Sequence, residues 1–105
     1  MRPPRSPDLE VELTLLPTLL RGRTSGWRPN NDFGLEHFND AHIEFVGCEG
    51  IEPGQTARAE MWLLWPEAQT GRLSPGFKFT VHEGRPLIAN GVVISVLRGD
   101  LSTHA

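Results

Sequence analysis

Residues 77–97 read FKFTVHEGRPLIANGVVISVL, which is two apolar segments joined by the polar sequence EGRP at 83–86. Over 77–82 apolar and polar side chains alternate, and a period of two places successive side chains on opposite faces of a β-strand. Gly and Pro in the connection favour a turn, so the stretch predicts a β-hairpin. Gly91, inside the second strand, predicts a β-bulge or a close approach to the backbone.

The same alternation recurs earlier in the chain. The odd positions of 9–15 are Leu, Val, Leu and Leu, separated by two glutamates and a threonine. Residues 57–65 begin in the same way, but 61–65 are apolar on both faces, which is typical of a strand that is buried on both sides or awaits a partner. Shorter strands are predicted near 27–35 and 43–46. Six strands with closely spaced turns predict an all-β fold, a small six-stranded antiparallel, Greek-key-like closed β-barrel.

The two ends of the chain lack this pattern. The first seven residues contain three prolines and two arginines, a composition typical of disorder. We therefore predict a disordered Pro/Arg leader at 1–7, one barrel domain at 8–98 and a frayed polar tail at 99–105. The leader lacks the apolar core of a secretion signal, and no segment is long enough to cross a bilayer, so we expect a cytoplasmic location.

The composition restricts the classes of partner. Ten basic and thirteen acidic residues give a net charge of -3, so no overall positive field draws the chain to DNA or to an anionic membrane. Cys48 is the only cysteine, which excludes an internal disulfide and agrees with a reducing compartment. The sequence contains no G-x-x-x-x-G-K-[ST] motif, so we expect neither nucleotide binding nor GTP hydrolysis. We expect no cofactor and no catalytic activity.

A second signal comes from five short blocks and their order along the chain. They are GRT at 22–24, GWRP at 26–29, PG at 53–54, FKFTVHEG at 77–84 and GVVISVL at 91–97. In this order and spacing they resemble the third, C-terminal, domain of translation elongation factor Tu, and the resemblance runs from about Leu9 to Leu97. It implies a six-stranded antiparallel barrel that stands alone, without a GTPase domain. It also implies a translation-related binding role, with tRNA, the ribosome or an elongation-factor partner as the ligand.

In that family the domain helps to hold the T-stem backbone of aminoacyl-tRNA. Matched motif by motif, the resemblance assigns contacts with RNA or another partner to Arg23, Arg28, Asn30, Glu83 and Gly84. Contacts of this kind read the shape and backbone of RNA rather than its sequence.

The arginines near Trp27 support a related hypothesis from the residues alone. Arg21 and Arg58, together with Arg23 and Arg28, could form a basic patch that binds phosphates, with Trp27 available to stack on a base. The alternative is a solvated loop whose arginines pair with the many acidic residues.

Trp62, Leu64 and Trp65 predict a protein-interaction surface. Alternation allows only one face of a strand to point into a barrel, so part of this set should face outward, and tryptophan is enriched in interface hot spots. The alternative is that these side chains fill the barrel or cover its end. The second class of function is accordingly a protein-interaction module, such as an immunity or decoy protein with no RNA role, and self-association is a further option.

Two other groups have a chemical and a structural interpretation. Glu36, His37, Asp40 and His42 are close enough in sequence to supply metal ligands, but a polar hairpin rim has the same composition. The sequence leaves open whether they bind a metal, and we predict none. Cys48 is expected to be a structural thiol beside a turn, because no neighbouring motif activates it as a nucleophile.

Overall fold

The computed structural model describes residues 2–103. Those residues form eight β-strands: β1 (Leu9–Leu15), β2 (Arg23–Thr24), β3 (Asn30–Asp32), β4 (Asn39–Phe45), β5 (Gly50–Ile51), β6 (Thr56–Leu63), β7 (Lys78–His82) and β8 (Leu87–Val96). Two short 3-10 turns follow β6 and β8, at Pro66–Gln69 and Gly99–Leu101. Within residues 2–103, no helix has the length and apolar character needed to span a membrane.

Six of the strands close into an antiparallel barrel in the order β1-β6-β4-β3-β7-β8, and β8 pairs with β1 to complete the circle. β3, β4 and β6 are successive strands of the barrel and pair in that order, and β1, the first strand, lies beside β6, which is a Greek-key arrangement. β2 and β5 form a separate two-stranded ribbon. The predicted all-β, six-stranded closed barrel is confirmed.

The barrel interior is filled by the alternating apolar residues that the sequence pattern identified. All four odd-numbered side chains of β1 are fully buried, and they meet inward-facing side chains of β6 such as Met61 and Leu63. Phe33 stacks on Phe79 with ring centroids 4.9 Å apart. Removing this apolar surface from water is the main term that stabilises the fold.

The Phe79 ring lies close to the backbone of Gly91, which is the second of the two features predicted for this glycine, a β-bulge or a close approach to the backbone. It lies opposite Phe79 in the register of β7 and β8, and a Cβ at Gly91 would lie 2.3 Å from Cζ of the Phe79 ring. The register shifts of β8 occur elsewhere, at Glu10–Val11 of β1 and at Val81–His82 of β7. The glycine is needed because the aromatic ring packs directly on the backbone.

The described parts of the predicted leader and tail contact the barrel more closely than the sequence indicated. The leader was expected to be disordered, but the Arg5 side chain donates hydrogen bonds to Asp8 and to the carbonyl of Leu63. The tail was expected to fray, but Leu101 is fully buried and its carbonyl accepts a hydrogen bond from the Leu73 amide at 2.8 Å. A buried leucine in a polar segment explains why residues 99–103 belong to the fold. The remainder of the predicted leader and tail, Met1, His104 and Ala105, lies outside the described residues.

We predict that Gly91→Ala lowers the free energy of unfolding by about 1–3 kcal/mol, the usual effect of overpacking a core, because the new methyl group overlaps the Phe79 ring. Urea unfolding measures the change. Gly99→Ala is the matched control, since a Cβ at Gly99 meets no atom within 4 Å. Equal unfolding midpoints for the two variants would contradict this account of the core.

Candidate functional site

Four residues that the resemblance singled out meet at one end of the barrel. Arg23 lies in β2, and Glu83 lies in the turn between β7 and β8. The Arg23 guanidinium donates from Nε and from Nη2 to the two carboxylate oxygens of Glu83, each at 2.8 Å. This fork of two parallel hydrogen bonds is the strongest geometry available to an arginine–carboxylate pair. It joins the two-stranded ribbon to the β7–β8 turn.

Trp27 extends this pair. Its indole Nε1 donates to Oε2 of Glu83 at 2.7 Å, and the guanidinium of Arg23 lies 5.9 Å from the centre of the indole ring. Trp27 also forms a β-bridge with Ile43 of β4. The side chain that the sequence placed beside the arginines is therefore held in contact with both Arg23 and Glu83.

Asn30 and Gly84 complete the arrangement. Oδ1 of Asn30 accepts a hydrogen bond from the backbone amide of Gly84 at 2.7 Å, and Nδ2 of Asn30 donates to Asp40. Gly84 has a φ of 73°, a conformation that favours glycine in a tight turn. We call Arg23, Trp27, Asn30, Glu83 and Gly84 the rim network.

The charges of the rim network reinforce each other. The hydrogen bond from Arg23 lowers the pKa of Glu83, burial opposes this, and the Trp27 indole adds to the lowering. The same contact with Glu83 raises the pKa of Arg23. Nη1 of Arg23 donates to the carbonyls of Arg21 and Gly22 at 2.8 and 3.1 Å. Each of the three guanidinium nitrogens thus has a partner in the chain, so Arg23 mainly fixes the shape of the loop.

Three other arginines close in sequence to the rim network are exposed and make no hydrogen bond or ion pair through their side chains with residues 2–103. They are Arg21, Arg28 and Arg85. Each lies within two residues of Arg23, Trp27 or Glu83 along the chain. A cleft of about 480 Å³ is lined by residues 21–27 and by Glu83. The sequence interpretation missed Arg85, although its position two residues after Glu83 in the same turn was a usable signal.

Other predicted contributors do not join this end of the barrel. Arg58 forms an ion pair with Glu10 on the outer faces of β6 and β1, so it is not part of the predicted basic patch. Arg28 is close to the rim network in sequence, but it lines a second cavity with Arg5 and Trp62.

The predicted protein-interaction set divides into two parts. Trp62 is only 3% exposed, because its side chain points out of the barrel but is covered by residues 2–5 of the same chain. Leu64 and Trp65 follow the end of β6 and are 78% and 56% exposed. Of the three residues in the predicted set, Leu64 and Trp65 are the two that present apolar surface to solvent.

The candidate metal ligands are not brought together. Within residues 2–103, no three His, Cys, Asp or Glu side chains are grouped so that they could hold an ion. His42 Nε2 is bonded to Glu44, and Asp40 accepts from Asn30. Cys48 is exposed, with its sulfur 3.9 Å from the carbonyl of Val46.

Comparison of the sequence with protein-family models and with curated protein sequences finds no match.

The lowered pKa of Glu83 predicts a pH-dependent contribution to stability. The unfolded chain binds a proton at Glu83 more readily than the folded chain, so the contribution is full above the ordinary glutamate pKa and is lost as pH falls through the folded value. Because the Glu83 side chain is 38% exposed, we expect at most about 1 kcal/mol. The difference in unfolding free energy between the wild type and Glu83→Gln should shrink between about pH 6 and about pH 3.

Glu36→Gln is the control for this titration, because Glu36 is exposed and has no bonded partner in the part of the chain described. A Glu83→Gln difference that stays constant with pH would contradict the assigned ion pair.

Proposed function

We propose that the chain is a non-catalytic module that binds the sugar–phosphate backbone of RNA in a translation-related setting. The observation that carries the proposal is that Arg23 and Asn30 from one segment meet Glu83 and Gly84 from a second, distant segment in one hydrogen-bonded network. These are the positions that the resemblance to the third domain of elongation factor Tu assigned to RNA contact. Transfer RNA is the RNA class we favour.

The rim network and the unpaired arginines have separate roles in this proposal. The network fixes the loop at 21–27 against the β7–β8 turn, and Arg21 and Arg85 supply the phosphate contacts. Unpaired guanidinium groups release condensed counterions when they meet phosphates, whereas Arg23 would first have to leave Glu83. Contacts of this type recognise the shape of an RNA stem and not its sequence.

The proposal predicts weak, salt-sensitive binding of a tRNA or an RNA stem, because the net charge is -3 and only a local patch is basic. Arg21→Ala with Arg85→Ala should lower the affinity at least about tenfold and reduce the slope of log affinity against log salt by about 1 for each lost phosphate contact. Fluorescence anisotropy with a labelled RNA stem measures both quantities.

Lys78→Ala is the matched control, since Lys78 is also an exposed, unpaired cation but starts β7 at the end remote from the Glu83 turn. The proposal is wrong if the wild type binds no RNA at low salt, or if Lys78→Ala weakens binding as much as the double variant does.

The protein-interaction alternative has its own observation, the exposure of Leu64 and Trp65. Adjacent exposed leucine and tryptophan side chains are typical of a contact surface, because a partner that covers them removes a large apolar area from water at a small cost in side-chain entropy. In this alternative, a protein partner retained from host lysate withstands nuclease treatment and is lost with Leu64→Ser and Trp65→Ser. Nuclease-sensitive retention that the same double variant leaves unchanged would contradict it.

A further inference from the structure

We propose that the outer face of β4 and β6 around Trp62 is a binding site for arginine- and proline-rich peptide segments, which residues 2–7 of the chain occupy in cis. This site adjoins the rim network, because its residue Asp40 accepts a hydrogen bond from Asn30. We call the side chains of Asp40, His42, Glu60, Trp62 and Leu64 the Trp62 groove, and residues 2–7 the strap. The occupant that we assign is an Arg/Pro-rich segment of a partner protein, which displaces Arg2 and Pro3 of the strap while Arg5 stays in place.

The strap shows which chemistry the groove accepts. The indole Nε1 of Trp62 donates to the carbonyl of Arg5 at 2.6 Å. The guanidinium of Arg2 lies 5.2 Å from the centre of the Trp62 ring and forms an ion pair with Glu60. Pro3 lines the same cavity. An indole that donates to a peptide carbonyl while contacting proline and arginine is the arrangement by which aromatic grooves recognise proline-rich segments.

The charge of the barrel face requires a cationic occupant. Glu10, Glu60 and Glu44 lie directly opposite one another in the registers of β1, β6 and β4. Like charges placed across strands destabilise a sheet unless cations offset them. Glu10 forms an ion pair with Arg58 and Glu44 is hydrogen-bonded to His42, so Arg2 of the strap is the cation that contacts Glu60. An occupant without an arginine would leave the central carboxylate of the row uncompensated.

His42 indicates that the strap does not satisfy the groove completely. Its Nε2 is bonded to the Glu44 carboxylate, and its ring meets the edge of Trp62 with centroids 5.7 Å apart. Nδ1 is buried and has no hydrogen-bond partner among residues 2–103. With Nε2 donating, Nδ1 of a neutral imidazole is an acceptor, so it requires an N–H donor. A cavity of about 350 Å³ beside it, lined by Pro3, Arg28 and Asp40, leaves room for a side chain of a better-matched segment.

The position of Arg5 explains how the strap can exchange without unfolding the barrel. Arg5 forms a two-bonded ion pair with Asp8, which is 1% exposed and also accepts from the Leu63 amide. A buried carboxylate needs this partner, so Arg5 remains attached. Arg2 and Pro3 lie beyond that anchor and make only the surface contacts with Trp62 and Glu60. Replacing these two residues should therefore open the groove and preserve the fold.

The test uses the full chain and a peptide of sequence Arg-Pro-Pro-Arg-Ser-Pro with blocked ends. Peptide binding is followed by NMR on the indole N–H resonances of Trp27, Trp62 and Trp65, with Trp62→Phe identifying its own signal. We expect the peptide to shift the Trp62 signal alone. We expect the variant with Arg2→Ala and Pro3→Ala to bind the peptide at least about tenfold more tightly than the wild type does. In the wild type the strap competes for the groove, so the apparent affinity falls in proportion to the fraction of molecules whose groove is open.

Two controls accompany this comparison. Arg98→Ala, which removes a surface cation paired with Asp100, should bind the peptide as the wild type does. A peptide with glutamine in place of both arginines should bind at least about tenfold more weakly. We call the variant with Arg2→Ala and Pro3→Ala the open variant. Adding Trp62→Phe to the open variant should weaken binding of the original peptide to a similar extent.

Three results would overturn the proposal. The first is an open variant that binds no more tightly than the wild type, including no binding by either. The second is a shift at Trp27 or Trp65 in place of Trp62. The third is a wild-type dimer at micromolar concentration that Arg2→Ala with Pro3→Ala abolishes, because the strap would then be exchanged between two copies.

Discussion

Closure of the barrel through β1 is the constraint on which the remaining structure depends. β1 pairs with β6 on one side and with β8 on the other, so no edge is left open and the inward set of residues 9–15 is fixed. A slip of one residue would turn the four buried aliphatic side chains outward and the glutamates inward. The same register places Glu10 opposite Glu60, whose other neighbour across the sheet is Glu44. It also places the strap, which precedes β1, beside Trp62.

The charged residues of the chain divide into those that shape the surface and those that remain available to a ligand. Arg23 and Glu83 form an ion pair that joins two segments sixty residues apart. Arg5 forms an ion pair with Asp8 and also donates to the Leu63 carbonyl, which joins the strap to β6. Such partly enclosed pairs add little net stability, but they limit the geometry of the loops that they connect. Arg21 and Arg85 have no such partner within residues 2–103, and they are the groups proposed to meet phosphate.

The sequence could predict the features that depend on local pattern. The period of two in 9–15 and 78–82 identified two strands and their buried faces, and the ordered blocks selected Arg23, Asn30 and Glu83, which do lie together. It could not predict pairings between distant segments. Trp62 is buried because the strap, nearly sixty positions earlier, covers it, and Arg58 leaves the basic patch because strand register places Glu10 beside it.

The most direct test of the central claim, that the rim network presents arginines to RNA, is an amide NMR titration of the chain with a short RNA stem. The account predicts chemical-shift changes in residues 21–28 and 83–85 that diminish as salt is added, with the remainder of the barrel unchanged. Changes centred on Leu64 and Trp65, or no change at low salt, would contradict it.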